Sequence, residues 1–544
     1  MTPAHTPSEG RPRYVIGIDV GTASARAGVF DLSGHMVSAA KRDISLFREA
    51  GSIAEQSSTE IWDAVCAVIR EAVSTARIDP AHVAGLGFDA TCSLVVLGEG
   101  GRPLAAGPSG EGERDIIVWM DHRAIAQAER INATGHDVLR YTGGRISPEM
   151  QTPKILWLKE NRPETFAAAW QFFDLADFLT WKAAGSLARS TCTVTCKWTY
   201  LAHERRWDGD YFRKIGLGEL ADEGFARIGT EIVDPGSRLG AGLTVDAAAA
   251  MGLRPGTAVA AGMIDAHAGG IGTVGAGGNP ADTLAYVFGT SSCTMTSTAG
   301  PVFVPGIWGP YYSAMVPGMW LNEGGQSAAG AAIDQLLSFH PAAGEAAIKA
   351  RELGKPLPAF MAAAAAERVS DASAAVTLAS GLHVVPEFLG NRAPFADPHA
   401  RAIIAGLGME RDFESLIALY IAGLCGIGYG LRQIIETQAR AGAPVQRAVI
   451  SGGAGASPLV RQILADTCRK PVLSPAAAEP VLLGAAMLGS VASGAFPDIR
   501  HAMGAMSAID AVYEPVICDW AEIHEHRYQA FLSLQAATRT IRHF

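Results

Sequence analysis

The sequence predicts an α/β protein built as two similar halves. At 544 residues the chain is too long for one ordinary hydrophobic core. A short pattern, Gly-Thr-x-Ser, occurs at Gly21-Thr22-Ala23-Ser24 and again at Gly289-Thr290-Ser291-Ser292, each time closing an apolar β-rich run; the offset is 289 − 21 = 268 residues, about half the chain. Around both copies, runs that read as strands are followed by segments with helical periodicity.

Tyr14 to Val20, Ala25 to Phe30 and Met36 to Ala40 read as an antiparallel meander with glycine-containing turns. Ser58 to Ala76 reads as a helix capped by Ser58 or Thr59. Val83 to Leu97 gives two apolar strands around a polar turn, and a further helix starts near Pro153 and stops before Pro163. The nearly uncharged, glycine-rich stretch from Pro255 to Ala281 marks the junction, giving domains 14–275 and 276–544. A second meander spans Asp282 to Ser297, and "GMWLNEGGQSAAGAAIDQLL" reads as a loop entering a helix. The alanine-biased 359–376 segment reads as helical and peripheral. Leu416 to Leu431 reads as a buried helix, shorter than a membrane span needs. "VQRAVISGGAGASPLVRQILADTCRKPVLSP" reads strand, glycine turn, helix, strand, and a closing helix runs from about Trp520 to Ile541.

Composition narrows the function. Hydrophobic residues are 49% of the chain, which excludes a mostly disordered protein, and the net charge of −10 argues against nucleic acid as partner. The polar N-terminal residues lack an apolar signal core, so a soluble cytoplasmic protein with no membrane partner is expected. A homodimer would be ordinary. Of eight cysteines only Cys192 and Cys196 are close, with no matching second pair, so reduced buried thiols are expected rather than zinc or disulfides.

Gly-Thr-x-Ser hairpins can offer backbone N–H groups and hydroxyls to phosphate oxygens, with glycine allowing close approach. Alone, each copy is equally an ordinary turn. Asp19, at the end of the first strand, gives one copy a carboxylate suited to Mg²⁺. Gly452, Gly453, Ala454 and Ser457 form a strand-to-helix turn that a flat ring can approach. Asp265 is the single acid in a long apolar, glycine-rich stretch; it is either a helix cap or a general base at a cleft. "GIGTVG" (Gly270 to Gly275) matches a dinucleotide fingerprint but lacks the strand before it and the helix opening on it.

Together these elements resemble the actin/hexokinase/chaperone ATPase superfamily and, within it, the FGGY carbohydrate kinases, over about Tyr14 to Gly494. "GIDVGTASARAGVFD" and "VFGTSSC" resemble the two phosphate motifs, "AGMIDAHAGGIG" the catalytic-Asp segment, "ISGGAGASPLVRQILAD" the adenosine motif, and "GNRAPFADPHARAIIAGLG" a long C-domain loop. Ala454 stands where many relatives have a third glycine. "GFDATCSLVVL" and "VWMDHRA" resemble the ribulokinase-like branch, especially members acting on D-ribulose.

The resemblance implies two ribonuclease-H-like (actin-like ATPase) domains with a central cleft, ATP and Mg²⁺ as cofactors, and a small sugar as substrate. Asp265 becomes the base and, with Asp19, a metal ligand. Gly21, Thr22, Ser24, Gly289, Thr290, Ser291, Gly452, Gly453, Ala454 and Ser457 would hold the nucleotide. Asp89, Ala90, Asp121, Lys197 and Glu323 would line the sugar site. Each has a plainer reading: Asp89 a turn residue, Asp121 a helix cap paired with His122 and Arg123, Lys197 a snorkelling strand-edge residue, Glu323 a helix cap. The implied reaction is phosphorylation of a terminal hydroxyl of D-ribulose, with L-ribulose, xylulose or a glycerol-like polyol as alternatives. An actin- or chaperone-like ATPase module is the rival; it has no need of Lys197, Glu323 or Asp89 at the cleft.

Overall fold

The computed structural model describes residues 14–49, 52–379 and 381–541. The expected polar tail, residues 1–13, lies outside them. Strands β1 (Tyr14–Val20), β2 (Ser24–Asp31) and β3 (Met36–Asp43) form the predicted antiparallel meander, and helix α1 (Ser58–Ala76) follows. Its cap is Ser57, whose side chain accepts from the Glu60 N–H, one residue earlier than expected. Strand β4 (Val83–Ala90) lies parallel to β1, and the short β5 (Ala258–Val259) and β6 (Met263–Ile264) lie parallel to β4.

A separate five-stranded sheet takes Phe47–Arg48 and Ala54–Gln56 from before α1, and Leu94–Leu97, Ile116–Ile117 and Gln171–Asp174 from between β4 and β5, where α2 (Thr191–Trp198) also lies. Helix α3 (Asp265–Val274) leads into the second half. There β7 (Thr283–Phe288), β8 (Ser292–Thr298), β9 (Trp308–Tyr312) and β10 (Trp320–Gln326) form an antiparallel set. Helices α4 (Gly330–Ser338), α5 (Leu357–Ala366) and α6 (Phe413–Arg440) follow. Strand β11 (Arg447–Ser451) lies parallel to β7, α7 (Pro458–Cys468) leads to β12 (Val472–Pro475), and α8 (Pro480–Ala492), β13 (Ile509–Tyr513) and α9 (Asp519–Ile541) complete the chain.

The sheet orders β3-β2-β1-β4-β5 and β10-β8-β7-β11-β12 are the same, with β9 and β13 added at the edges of the second. The repeat in the sequence is therefore a repeat of topology. Strand β1 reads as a nearly continuous apolar run because both faces are covered. Ile16, Ile18 and Val20 pack in one cluster with Ile61, Val65 and Val68 of α1, while Val15 packs in another with Leu482 and Leu483 of α8.

The two halves exchange helices. Helix α8 of the second half lies on β1 and β4, and α3 packs against α8 and β7. The crossing is close enough to need glycine: a Cβ at Gly272 would stand 2.0 Å from the Pro480 carbonyl oxygen, and one at Gly484 1.9 Å from that of Ala268. This crossing forms the seam on which the site is built.

Three local expectations change, and the dinucleotide match stays excluded. Residues 191–198 are helix, so Lys197 is not on a strand edge. Residues 320–326 are an inserted strand rather than a loop, because Trp320 and Leu321 are buried in pairing with β8. The alanine-rich segment is not peripheral: Met361, Ala362 and Ala365 are buried in the second-half core. Gly270 lies inside α3, which removes the dinucleotide reading. Helix α6 is long and apolar enough to cross a membrane, but 78% of its most apolar window is buried inside the molecule, as a core helix requires. All eight cysteines are free, and six of them are buried.

Candidate active site

Register brings three carboxylates together. Asp19 on β1 is opposite Arg26 on β2 and beside Asp89 on β4. Met263 on β6 pairs with Asp89, so Asp265, two residues later, starts α3 next to the same point. Arg26 Nε donates to Asp19 Oδ2 at 2.9 Å, and Arg26 Nη1 donates to Glu479 Oε2, just before α8, at 2.8 Å. Arg26 thus ties the cluster to the second half.

Asp89 is fully buried and neither carboxyl oxygen has a hydrogen-bond partner. Burial, with the charges of Asp19 and Asp265, pushes its pKa well above the usual carboxylate range. It is neither a turn residue nor open to a sugar hydroxyl: β4 runs through it, and the cluster closes over it. Ala90, the next residue, pairs with Ile264 and is equally buried, so it forms the floor beneath α3.

Asp265 Oδ1 accepts from the Ala266 N–H at 2.7 Å, leaving Oδ2 without a donor among the described residues. Burial and the nearby Asp19 raise its pKa to about 6. A carboxylate poised there is suited to general-base work near neutrality. Its cap reading does not hold: Ile264 occupies the N-cap position, and no side-chain cap bond is made there.

Among the described residues, no group of three or more His, Cys, Asp or Glu side chains is arranged to enclose a metal ion. Mg²⁺ does not need one: it is commonly held by one or two carboxylates together with substrate phosphates. Converging carboxylates with unpartnered oxygens fit a cation shared in that way, with Asp19 and Asp265 as its holders.

The second Gly-Thr-x-Ser hairpin and the glycine turn after β11 line one cavity of about 360 Å³, with Gly289, Thr290, Gly453 and Ala454 on one side. Ile333, Pro358, Tyr420 and Leu424 supply apolar walls. A Cβ at Gly453 would meet nothing within 4 Å, and one at Gly289 nothing closer than 3.7 Å. The fold leaves room there for a ligand against the backbone. Gly452 has a different role: its φ is +94° and a Cβ would collide with the Phe288 carbonyl oxygen at 2.4 Å, so it shapes the turn. Ser291 and Ser457 do not line the cavity, and Ser457 occupies the α7 cap position without a side-chain cap bond.

The first hairpin, Gly21, Thr22 and Ser24, opens onto a second cavity of about 430 Å³, walled also by Arg26, Lys41, Glu479 and Leu482. The hairpins therefore do not share one cavity. Each nevertheless keeps donors in hand. Gly21 N–H bonds to the Ser24 carbonyl and Gly289 N–H to that of Ser291, both at 3.0 Å, while the N–H groups of Thr22, Ala23, Thr290 and Ser291 donate to no described residue. Thr22 Oγ1 accepts from Trp119 Nε1 at 3.0 Å, so its own hydroxyl proton is available.

The predicted sugar residues divide. Lys197, in the last turn of α2, is buried, lies 5.7 Å from the Trp308 ring centroid, and makes no hydrogen bond to a described residue. Glu323 on β10 is not a helix cap. Burial alone would raise its pKa, but His267, Lys197 and Arg392 hold it down to about 2. Asp121 belongs to the fold instead. Its oxygens accept from the Ala54 N–H at 2.7 Å, from the Arg123 N–H at 2.9 Å and from Arg123 Nε and Nη2 at 2.9 and 2.7 Å, in a site buried with Glu55. No lone pair is left to favour a substrate.

Arg26, Glu479, His267, Trp308 and Arg392 were missed from sequence. Arg26 lies in the first phosphate motif, His267 two residues after Asp265 and Arg392 inside the long loop, so three of the five sit in recognised motifs; strand register and loop packing decide the other two.

Residues 14–272 match the N-terminal domain of the FGGY family of carbohydrate kinases, and residues 284–493 match its C-terminal domain. The chain belongs to the FGGY family of carbohydrate kinases. An FGGY carbohydrate kinase domain-containing protein of Homo sapiens is 44% identical over 533 residues, covering 96% of each chain. A D-ribulokinase of Saccharomyces cerevisiae is 36% identical, covering 91% of this chain and 74% of its own. The xylulose kinase of Rhodospirillum rubrum shares the fold with a TM-score of 0.80 at 23% identity, covering 98% of this chain and all of its own. The actin-like ATPase architecture expected of an FGGY kinase is therefore present, and a module without a carbohydrate acceptor is set aside.

Proposed function

We propose that this FGGY kinase transfers the γ-phosphoryl group of ATP to a terminal hydroxyl of a pentulose, with D-ribulose as the first substrate to test. The observation that carries the proposal is the position of Asp265: a carboxylate with a pKa near 6 and a free oxygen, at the helix seam joining both halves. The D-ribulokinase relative and the segment Asp89 to Leu97 favour D-ribulose over the other ketoses.

Adenosine fits the apolar-walled cavity at Gly453 and Ala454. The free amides of Thr290 and Ser291, and of Thr22 and Ala23 across the seam, are suited to phosphate oxygens once the halves approach. Asp19 and Asp265 would hold Mg²⁺, which supplies positive charge against the phosphates. Asp265 Oδ2 takes the proton of the attacking hydroxyl. Lys197 donates to and Glu323 accepts from hydroxyls farther along the sugar, fixing which end meets the base. Closure of the two halves excludes water, the competing acceptor.

A coupled ADP-release assay over D-ribulose, L-ribulose, D-xylulose and glycerol tests the reading. ADP should appear only with an acceptor and fastest with D-ribulose. Steady ADP release that no sugar changes would refute the kinase reading; a faster rate with another acceptor would refute only the choice of D-ribulose.

A further inference from the structure

A buried chain of side chains crosses the seam behind the acceptor site. Cys192 Sγ on α2 and His267 Nδ1 on α3 are 3.1 Å apart, and His267 Nε2 faces Glu323 Oε2 of β10 at 3.5 Å. All three residues are buried, and His267 Nε2 has no hydrogen-bond partner. An orphaned polar atom in the interior is costly unless something satisfies it.

Its chemistry is fixed from the other side. Burial keeps the Cys192 thiol protonated, and its sulfur already accepts from the Ile264 N–H at 3.4 Å. Glu323 is ionised and can only accept, so the imidazole hydrogen that faces it sits on Nε2, and Nδ1 takes the thiol proton. An imidazolium would also present Nε2–H there, so both charge states make the same donor.

We propose that His267 is a positioning residue for the acceptor site: held by Cys192, it directs Nε2–H at Glu323 and so couples the sugar-binding carboxylate of the second half to the helix that begins with Asp265. The contact is a few tenths of an ångström longer than a good hydrogen bond. The other charged groups facing Glu323 are Lys197 from α2 and Arg392 from the 390–408 loop; Cys196, Cys293 and Tyr311 nearby are kept neutral by burial.

The inference rests on the kinase reading, and the test separates them. His267→Ala should raise the KM for sugar about ten- to hundredfold, the loss expected for a hydrogen bond to a charged group, with the KM for ATP unchanged. The defect should deepen as pH falls, because Glu323 without His267 takes up a proton more easily. His267→Gln, which can place a donor near Nε2, should keep the sugar KM within about threefold of the parent, whereas His267→Asn, which cannot reach, should not. If the alanine variant fails to fold, the glutamine and asparagine pair decides. Equal effects of Gln and Asn, an unchanged sugar KM in the alanine variant, or equal loss for both substrates overturns the proposal. A parent protein that releases no ADP with any sugar overturns the kinase reading and this inference with it; an active parent beside an indifferent His267→Ala overturns this inference alone.

Discussion

At the scale of single residues, the site is set by which charges are left unneutralised. Asp19 shares one oxygen with Arg26, Asp121 is committed to Arg123, and burial pushes Asp89 well above the usual carboxylate range, whereas Asp265 combines an oxygen without a donor among the described residues with a pKa near neutrality. Asp265→Asn should lower kcat by about 10²–10⁴-fold while ATP affinity is kept, read by steady-state kinetics and nucleotide titration. A turnover near that of the parent would mean another group is the base. The pH profile follows from the sign of the shift. A base must be deprotonated, and Asp265 is raised to about 6, so kcat should be flat above pH 7 and fall about tenfold per unit below pH 6. Glu323, held near 2, stays ionised through that window and adds no limb of its own. A profile flat down to pH 5 would remove Asp265 from the role.

At the scale of elements, the hairpins and the glycine turn work through backbone that the fold leaves unused. Gly453 illustrates this, because nothing in the protein opposes a side chain there. Gly453→Val should fill part of the cavity beside Ala454 and raise the KM for ATP about tenfold or more, roughly 1.4 kcal/mol, with the sugar KM unchanged. Its melting temperature should stay close to the parent's, since the side chain enters open space. A stable variant with normal ATP kinetics would show that the nucleotide does not lie against this turn. The alanine-rich helix α5 takes part as well, since Pro358 in its first turn lines the same cavity.

At the scale of the whole molecule, the crossing of α3 and α8 holds the halves together and places Asp265 and Glu479 on the seam. Gly484→Ala puts a methyl where only 1.9 Å separates it from the Ala268 carbonyl oxygen. It should destabilise the protein by about 1–3 kcal/mol, seen as a lower denaturation midpoint, because two backbones must move apart. An unchanged midpoint would show that the seam yields easily.

Much was legible beforehand. Alternating and continuous apolar runs set the strands, caps and prolines set helix ends, and the recurrence of Gly-Thr-x-Ser set the two-half plan, because these depend on local periodicity and turn chemistry. Asp265 stood out as a lone acid in apolar, glycine-rich surroundings, and Lys197 and Glu323 came from the resemblance to the ribulokinase-like branch. What the sequence could not determine was pairing at a distance. Only the register of β1 with β2 and β4 shows that Asp19 answers Arg26 and that Asp89 is shut away between carboxylates. Only the packing of α2, α3 and β10 puts Cys192, His267 and Glu323 in line. Residue type and spacing fix what a side chain can do; which partner it meets, and hence its charge, is decided by contacts between segments far apart in the chain.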